Sequence, residues 1–157
     1  MADVMRWRYG DTRPVVLPVD SGSEIEIGDL VYLATDDARP ASAQADQASE
    51  AANQELFHDN FAGVAMQRSR SGDTQPIRVA TAGVFEFACP SGTFEVGALV
   101  GVDEAASGTQ LEDQQVAAVA TANLAVGRCA KRVNPADSKV LVEIAATVSH
   151  GGVQTAA

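Results

Sequence analysis

Histidine and cysteine are the scarcest chemistry-bearing residues of this chain, which has two of each in 157 positions. His58, His150, Cys89 and Cys129 stand far apart, with no paired C-x-x-C and no histidine cluster, so the spacing a zinc site requires is missing. No G-x-x-x-x-G-K-[ST] and no G-x-G-x-x-G between strand and helix occurs, which removes the common phosphate-cradling loops. No G-x-S-x-G is present either, and two histidines leave little material for a nucleophile–base pair. Basic residues are outnumbered, 11 against 21 acidic, for a net charge of -10. Such a field repels phosphate and argues against a nucleic-acid partner. No apolar run reaches the length of a membrane span, and the first residues have no apolar signal-peptide core. No membrane association is expected, and the product is expected to stay in the cytosol until assembled or released. Aromatic residues are only 5% of the chain, so the core is expected to rest on small β-branched side chains.

What the sequence does contain is a series of short β-branched runs between Gly, Pro, Asp and Ser clusters, the pattern of an all-β domain. A strand is predicted over 14–19, with Pro14 and Pro18 withholding ladder donors as an edge strand allows. Ile25-Glu26-Ile27 leads through Gly28-Asp29 into Leu30-Val31-Tyr32-Leu33 as strand, turn, strand. A hairpin follows, with strands at 61–67 and 77–81 and a polar turn at 68–73. In Gly83-Val84-Phe85-Glu86-Phe87, alternation puts both phenylalanines on one face. Cys89 and Cys129 lie in apolar runs and read as buried thiols, with a disulfide between them as the alternative.

The second half repeats the first. Phe94-Glu95-Val96-Gly97-Ala98-Leu99-Val100-Gly101-Val102 copies residues 25–33, acidic turns follow both copies, and 62–68 is echoed by 126–132 and Ile77-Arg78-Val79 by Val140-Leu141-Val142. Matched features in the same order indicate an internal duplication. The expected fold is a mainly all-β barrel or sandwich built from two related units, 24–87 and 93–147, within a single domain at 13–148. Residues 1–12 form an arm and 149–157 a loose tail. An Ala-rich excursion at 38–60 interrupts the first unit. Its Ala, Gln and Glu content predicts a surface helix from Pro40 or Ser42 to about Leu56, or a mobile loop.

Chemistry is thin. Asp36-Asp37, Asp103-Glu104 and Glu112-Asp113 read as solvated turn charge because none has calcium-loop spacing. Neither metal nor cofactor is expected, and no catalytic residues are assigned. Arg68, Arg70 and Arg78, with Lys131 and Arg132 at the matching place, read as solvated turn residues or as a basic rim for an acidic partner surface. The run Arg6-Trp7-Arg8-Tyr9 interleaves the only Trp and one of two Tyr with arginine, the residue types enriched in binding hot spots. It either docks on a partner or packs Trp7 on the chain's own barrel. The candidate partner contacts are Arg6, Trp7, Arg8 and Tyr9 of the arm, Phe57 of the excursion, and Arg68 and Arg70 of the hairpin.

The order Gly28-Asp29-Leu30-Val31, Phe61-Ala62-Gly63-Val64-Ala65, residues 77–87, Val96-Gly97-Ala98-Leu99-Val100, Ala125-Val126-Gly127-Arg128 and Val140-Leu141-Val142-Glu143 resembles the cement proteins that decorate tailed-phage capsids. The resemblance runs from about Gly28 to Ala146, with Gly97-Ala98 where that family usually has Gly-Asp. It implies a non-enzymatic virion protein, commonly a homotrimer, that binds the major capsid protein on the exterior of the expanded head and bridges capsomers. The competing readings are a trimeric β enzyme of the deoxyuridine-nucleotide hydrolase type, for which Asp103 is the one candidate carboxylate and has no convincing partners around it, and a surface binding module.

Overall fold

A computed structural model of the chain describes residues 5–154. Its elements run β1 (Arg6–Tyr9), β2 (Val15–Leu17), β3 (Leu30–Ala34), β4 (Asp37–Pro40), α1 (Glu50–Asn60), β5 (Phe61–Ala65), β6 (Ile77–Ala80), β7 (Ala82–Phe94), β8 (Leu99–Glu104), β9 (Leu111–Ala118), β10 (Gly127–Cys129), β11 (Val133–Ala145) and α2 (Thr147–His150). The chain is mostly β, as its alternation predicts.

Two sheets share one plan. The first has the order β2-β6-β5-β3-β4 and the second β1-β7-β11-β10-β8-β9, so apart from the added β1 each strand of one has a counterpart at the same place in the other. In the second sheet β9 also meets β7, with Ala88 opposite Gln115, which closes a five-stranded barrel. The first sheet lacks that strand pairing. There Pro18 carbonyl accepts from Ala38 N at 2.9 Å across the gap between β2 and β4. Proline cannot return a bond, and β2 is only three residues long.

The correspondence extends to single hydrogen bonds. Gly28 N donates to Ala65 O and Gly97 N to Cys129 O, both at 2.8 Å. Val31 faces Gly63 as Val100 faces Gly127. Arg68 pairs with Glu26 and Arg132 with Glu95. Both Gly63 and Gly127 are dictated by close approach: a Cβ would meet Ala80 O at 1.9 Å in the first unit and Glu143 O at 2.3 Å in the second. The predicted strand at 25–27 is reduced to one bridge, Ile25 opposite Ser69, because Glu26 to Asp29 is consumed by the turn.

Each unit has its own interior. Val19, Ile25, Val31, Ala38, Ala65, Ile77 and Val79 fill the first. In the second, the barrel core includes Phe85, Phe87, Val100, Val116, Val140 and Val142, so residues 82–87, expected in the first unit, belong to the second sheet through β7, while β2 at 15–17 joins the first. The same cluster continues outside the barrel into Leu30, Tyr32, Phe57, Phe61 and Val64, so the first sheet is buried on both faces.

The excursion is ordered and differs from its sequence reading. α1 starts at Glu50, where Ser49 Oγ accepts from Ala52 N, a cap contributing about 1 kcal/mol. Pro40 is instead paired with Val31 in β4, and Ser42 is bound to Asp113. Phe57 is fully buried against Tyr32 and Phe61, with ring centroids 5.9 and 5.6 Å away. The C-terminal segment is likewise not loose over its described part. Val153 is buried, and Arg128 Nη2 donates to Gln154 O at 2.8 Å. Residues 155–157 of the expected tail and 1–4 of the expected arm lie outside the described residues.

Polar ties lock the units together. Gln114 of β9, almost fully buried, donates to Asp29 Oδ1 at 3.0 Å and Ile27 O at 3.1 Å, and accepts from Met5 N at 3.2 Å. Asp113 accepts from Ser42 N and Oγ at 2.7 and 2.9 Å. From α1, Gln54 donates to Val102 O at 2.9 Å and Asn53 to Glu104 at 2.8 Å. Buried groups paired this way fix the relative placement of the two units, since breaking any one strands its partner away from water.

Candidate functional site

β1 is built onto the outside of the second unit. Arg6 stands opposite Glu86 and Trp7 opposite Phe85, so β1 extends the barrel wall at β7. All four β1 side chains remain exposed. Trp7 keeps 55% and Tyr9 52% of its accessible surface. Leaving about half of two aromatic surfaces in water forgoes roughly 2 kcal/mol each of burial free energy. The two sequence readings of Trp7 therefore divide between backbone and side chain, because the strand is held on the barrel while its aromatic faces stay available.

One shallow concavity borders this strand and a second adjoins it. One of about 500 Å³ is lined by Trp7, Arg8, Tyr9, Ala130, Lys131 and Leu141. The other, about 380 Å³, shares Lys131 and Leu141 and continues over Arg132, Asp137, Lys139 and Glu86. The β7 and β11 strands carry this surface. At 13 residues each, they run past β10 and leave residues 134–139 exposed. Arg68 and Arg70 line neither concavity. Arg68 is engaged with Glu26, and Arg70 sits exposed in the turn after it. Phe57, the remaining expected contact, has no accessible surface and cannot touch a partner, because its ring fills the space between α1 and the first sheet. Lys139 and Leu141 join the surface only through the β7–β11 register, which pairs Leu141 with Glu86.

The groups that could do bond chemistry are engaged elsewhere. Cys89 and Cys129 are free, buried thiols rather than a disulfide. Burial pushes both thiols up, helped at Cys89 by the charge of Asp137, and an un-ionised thiol is a poor nucleophile. His58 Nδ1 lies 2.7 Å from Ala125 O and must donate to it. Thr81 gives its hydroxyl proton to Arg13 O at 2.6 Å, so His150 Nε2, 2.8 Å away, donates to Thr81. Asp103 accepts from Gln115 and Glu104 from Asn53. Asp29 is raised to about 6, chiefly by burial, with Asp113 and Glu26 adding negative field while Gln114 and the Glu26 amide oppose the shift. It lies in the tie between the units, away from either concavity.

A family model described as phage cement protein matches residues 45–144, and the chain belongs to that family. It is a capsid-associated structural protein. Among solved structures it is similar to the head fiber gp8.5 N base of bacteriophage phi29, at 12% identity, with 91% of this chain and 99% of that chain covered and a TM-score of 0.47. No curated protein matches it. Among the described residues no helix is long and apolar enough to cross a membrane.

Proposed function

We propose that this protein binds the exterior of the expanded phage head, contacts the major capsid protein and clamps neighbouring capsomers against outward pressure. Membership of the cement family carries the reading. The fold supports it physically: two β units tied by buried hydrogen bonds form a stiff body, suited to transmitting load between capsomers. The work is mechanical, with no bond made or broken, and many modest contacts repeated over a lattice add up through avidity. The protein acts as a homotrimer on the virion after accumulating in the host cytoplasm, and its net charge of -10 keeps it off nucleic acid. The nucleotide-hydrolase alternative is not favoured.

Co-sedimentation with expanded, undecorated capsids tests this. Saturable binding that raises the capsid's resistance to heat or chelation is the expected result, and absence of binding overturns the reading. Analytical ultracentrifugation checks the trimer separately.

A further inference from the structure

We propose that the concavity between the β3–β4 turn and the C-terminal end of α1 receives a lysine or arginine side chain presented by the capsid's outer surface, with Tyr32, Gln44 and Asn60 as acceptors for its N–H groups and Asp36 and Asp59 drawing it in. The proposal rests on the cement reading and adds the face used and the chemistry of what lands there.

The Ala-rich excursion builds this concavity by folding back on the first sheet. It measures about 320 Å³ and is lined by Tyr32, Leu33, Thr35, Gln44, Leu56 and Asn60 among others, none of them charged. Three of these residues hold acceptors that the fold leaves over. Gln44, only 7% exposed, donates through Nε2 to Asn53 O at 2.9 Å, which sets the amide's orientation and leaves Oε1 without a partner. Asn60 Nδ2 donates to Leu56 O at 3.1 Å, so its Oδ1 is the remaining group. The Tyr32 ring is fixed against Phe57, and its hydroxyl makes no hydrogen bond among the described residues. A buried acceptor without a donor costs free energy that an incoming N–H group recovers. Leu33 and Leu56, both half-buried, offer apolar surface to an aliphatic stem.

Charge selects the occupant. Asp36 and Asp37 follow Thr35, Asp46 follows Ala45, and Glu55 and Asp59 precede Leu56 and Asn60, whereas no Lys or Arg lies within two residues of any lining position. The carboxylates of Asp36, Asp37 and Asp59 make no ion pair or hydrogen bond among the described residues. Arg39 stands opposite Tyr32 in the ladder, but Asp20 holds it at 3.2 Å. Leu56 and Asn60 also lie at the carbonyl end of the 11-residue helix α1, which carries partial negative charge. These fields add to that of a molecule with net charge -10 and steer a basic group to this place. A divalent metal ion fits less well, since it needs carboxylates converging on one point, and no group of three such ligands occurs among the described residues. An ammonium or guanidinium group on an aliphatic stem matches neutral acceptors set inside an acidic rim. Repeated over a capsid lattice, such a modest contact gains strength through avidity.

The test compares Asp36→Lys, Asp59→Lys and Ala45→Trp with Glu24→Lys, an equal charge reversal at an exposed residue outside the lining. Each full-length variant is titrated onto expanded, undecorated capsids across a salt series, with urea midpoints checked for folding. The two reversals, and the tryptophan that fills the concavity without changing charge, should each lose at least about tenfold in capsid affinity, while Glu24→Lys stays within about twofold of wild type and high salt weakens wild type. Capsids acetylated on lysine and blocked on arginine with phenylglyoxal, checked intact by electron microscopy, should bind wild type more weakly by a similar factor. If wild type binds native capsids and the three variants bind equally well, or if the modified capsids bind unchanged, the site is wrong while the cement reading stands. Equal loss in Glu24→Lys would reduce the effect to net charge and overturn the site. If wild type does not bind capsids at all, the cement reading falls, and this partner with it. Calorimetric titrations with spermidine and with magnesium chloride cover free cations: binding of either that Asp59→Lys abolishes, with capsid affinity unchanged, assigns the concavity to a free cation and overturns the proposal.

Discussion

The two β units of this molecule have the same strand order, the same glycine turns and the same ion pair, yet they are packed in opposite ways. In the first, the outer positions Leu30, Val64 and Ala80 are buried beneath α1 and the second unit. Their counterparts in the second are Leu99 and Arg128, half-buried, and Glu143, exposed. Inside, Val15 and Leu17 of β2 stand where β7 has Phe85 and Phe87, since each pair faces the same matched residues of β6 and β11. The first unit is thus a small open barrel sandwiched between cores. The second is a closed barrel with large aromatics within and polar surface outside. Had the units packed through equivalent faces, both outer faces would be apolar. Their divergence shows a heterologous junction, with one unit serving as the interior and the other carrying the exposed surface where β1 lies.

The largest effect is expected at the shared glycines. Gly63→Ala puts a methyl within 1.9 Å of Ala80 O at a residue with φ of 138°, so the sheet must part, at a cost of about 4 kcal/mol or more. Gly127→Ala meets Glu143 O at 2.3 Å without the positive φ and should cost somewhat less. Gly97→Ala, with open space around its Cβ, should cost only about 1–2 kcal/mol from its φ of 88°. Urea unfolding of the three variants ranks them; a Gly63→Ala protein as stable as Gly97→Ala would reject the close approach at Gly63, and a Gly127→Ala protein as stable as Gly97→Ala would break the equivalence of Gly63 and Gly127.

Next come the interiors. Phe87→Ala should cost about 3–5 kcal/mol because the ring is fully buried in a closed barrel. Leu17→Ala, at the matching but half-buried position, should cost about 1–2 kcal/mol. Equal losses would mean that the first barrel is as tightly closed as the second.

Much of this asymmetry was hidden from the sequence. Alternation located β6, β7 and β8, and the repeated Gly-x-Leu-Val turn marked the matching turns of the two sheets, because both are local signals. Phe57 was misplaced because a single aromatic in an Ala-rich helix carries no sign of the Tyr32 and Phe61 that enclose it. Pro40 and Ser42 looked like a helix start, but long-range partners, Val31 and Asp113, took them, and Ser49 capped the helix instead. Arg6, Trp7, Arg8 and Tyr9 stood out by composition, whereas Lys139 and Leu141 became neighbours of that strand only through a register no local pattern encodes. The tail looked loose since Val153 finds its cover in residues distant in sequence.

A smaller effect separates the two glycine turns. Asp29 of the first is buried, whereas the second has Ala98 at the same place. With Asp29 raised to about 6 in the folded protein against 3.8 in the free group, the folded state holds a proton between those values that the unfolded state has released. Stability should therefore fall as pH rises from about 4 to above 6, by at most about 3 kcal/mol from this group. Asp113, raised by burial too, acts in the same direction. Urea midpoints measured from pH 4 to 7 should decline for wild type and flatten for Asp29→Asn; a rise with pH would reject a buried, proton-holding Asp29.

The smallest expected difference lies between the two equivalent ion pairs. Glu26 and Arg68 each keep about 40% of their side-chain surface exposed, whereas Glu95 and Arg132 keep 72% and 59%. Screening by water weakens both, so neither coupling should exceed about 1 kcal/mol, and the first should be the stronger. Double-mutant cycles with Glu26→Gln and Arg68→Gln, and with Glu95→Gln and Arg132→Gln, measure the couplings at low and high salt. A larger coupling at Glu95 would mean that the exposed turn of the second unit is stiffer than its surface suggests, which matters because Arg132 borders the concavity beside β11. If instead added salt removes the Glu95–Arg132 coupling first, Arg132 is the more weakly held of the two arginines. The duplicated ion pair would then act as a fixed clasp in the unit that forms the interior and as an exchangeable one in the unit that carries the exposed face.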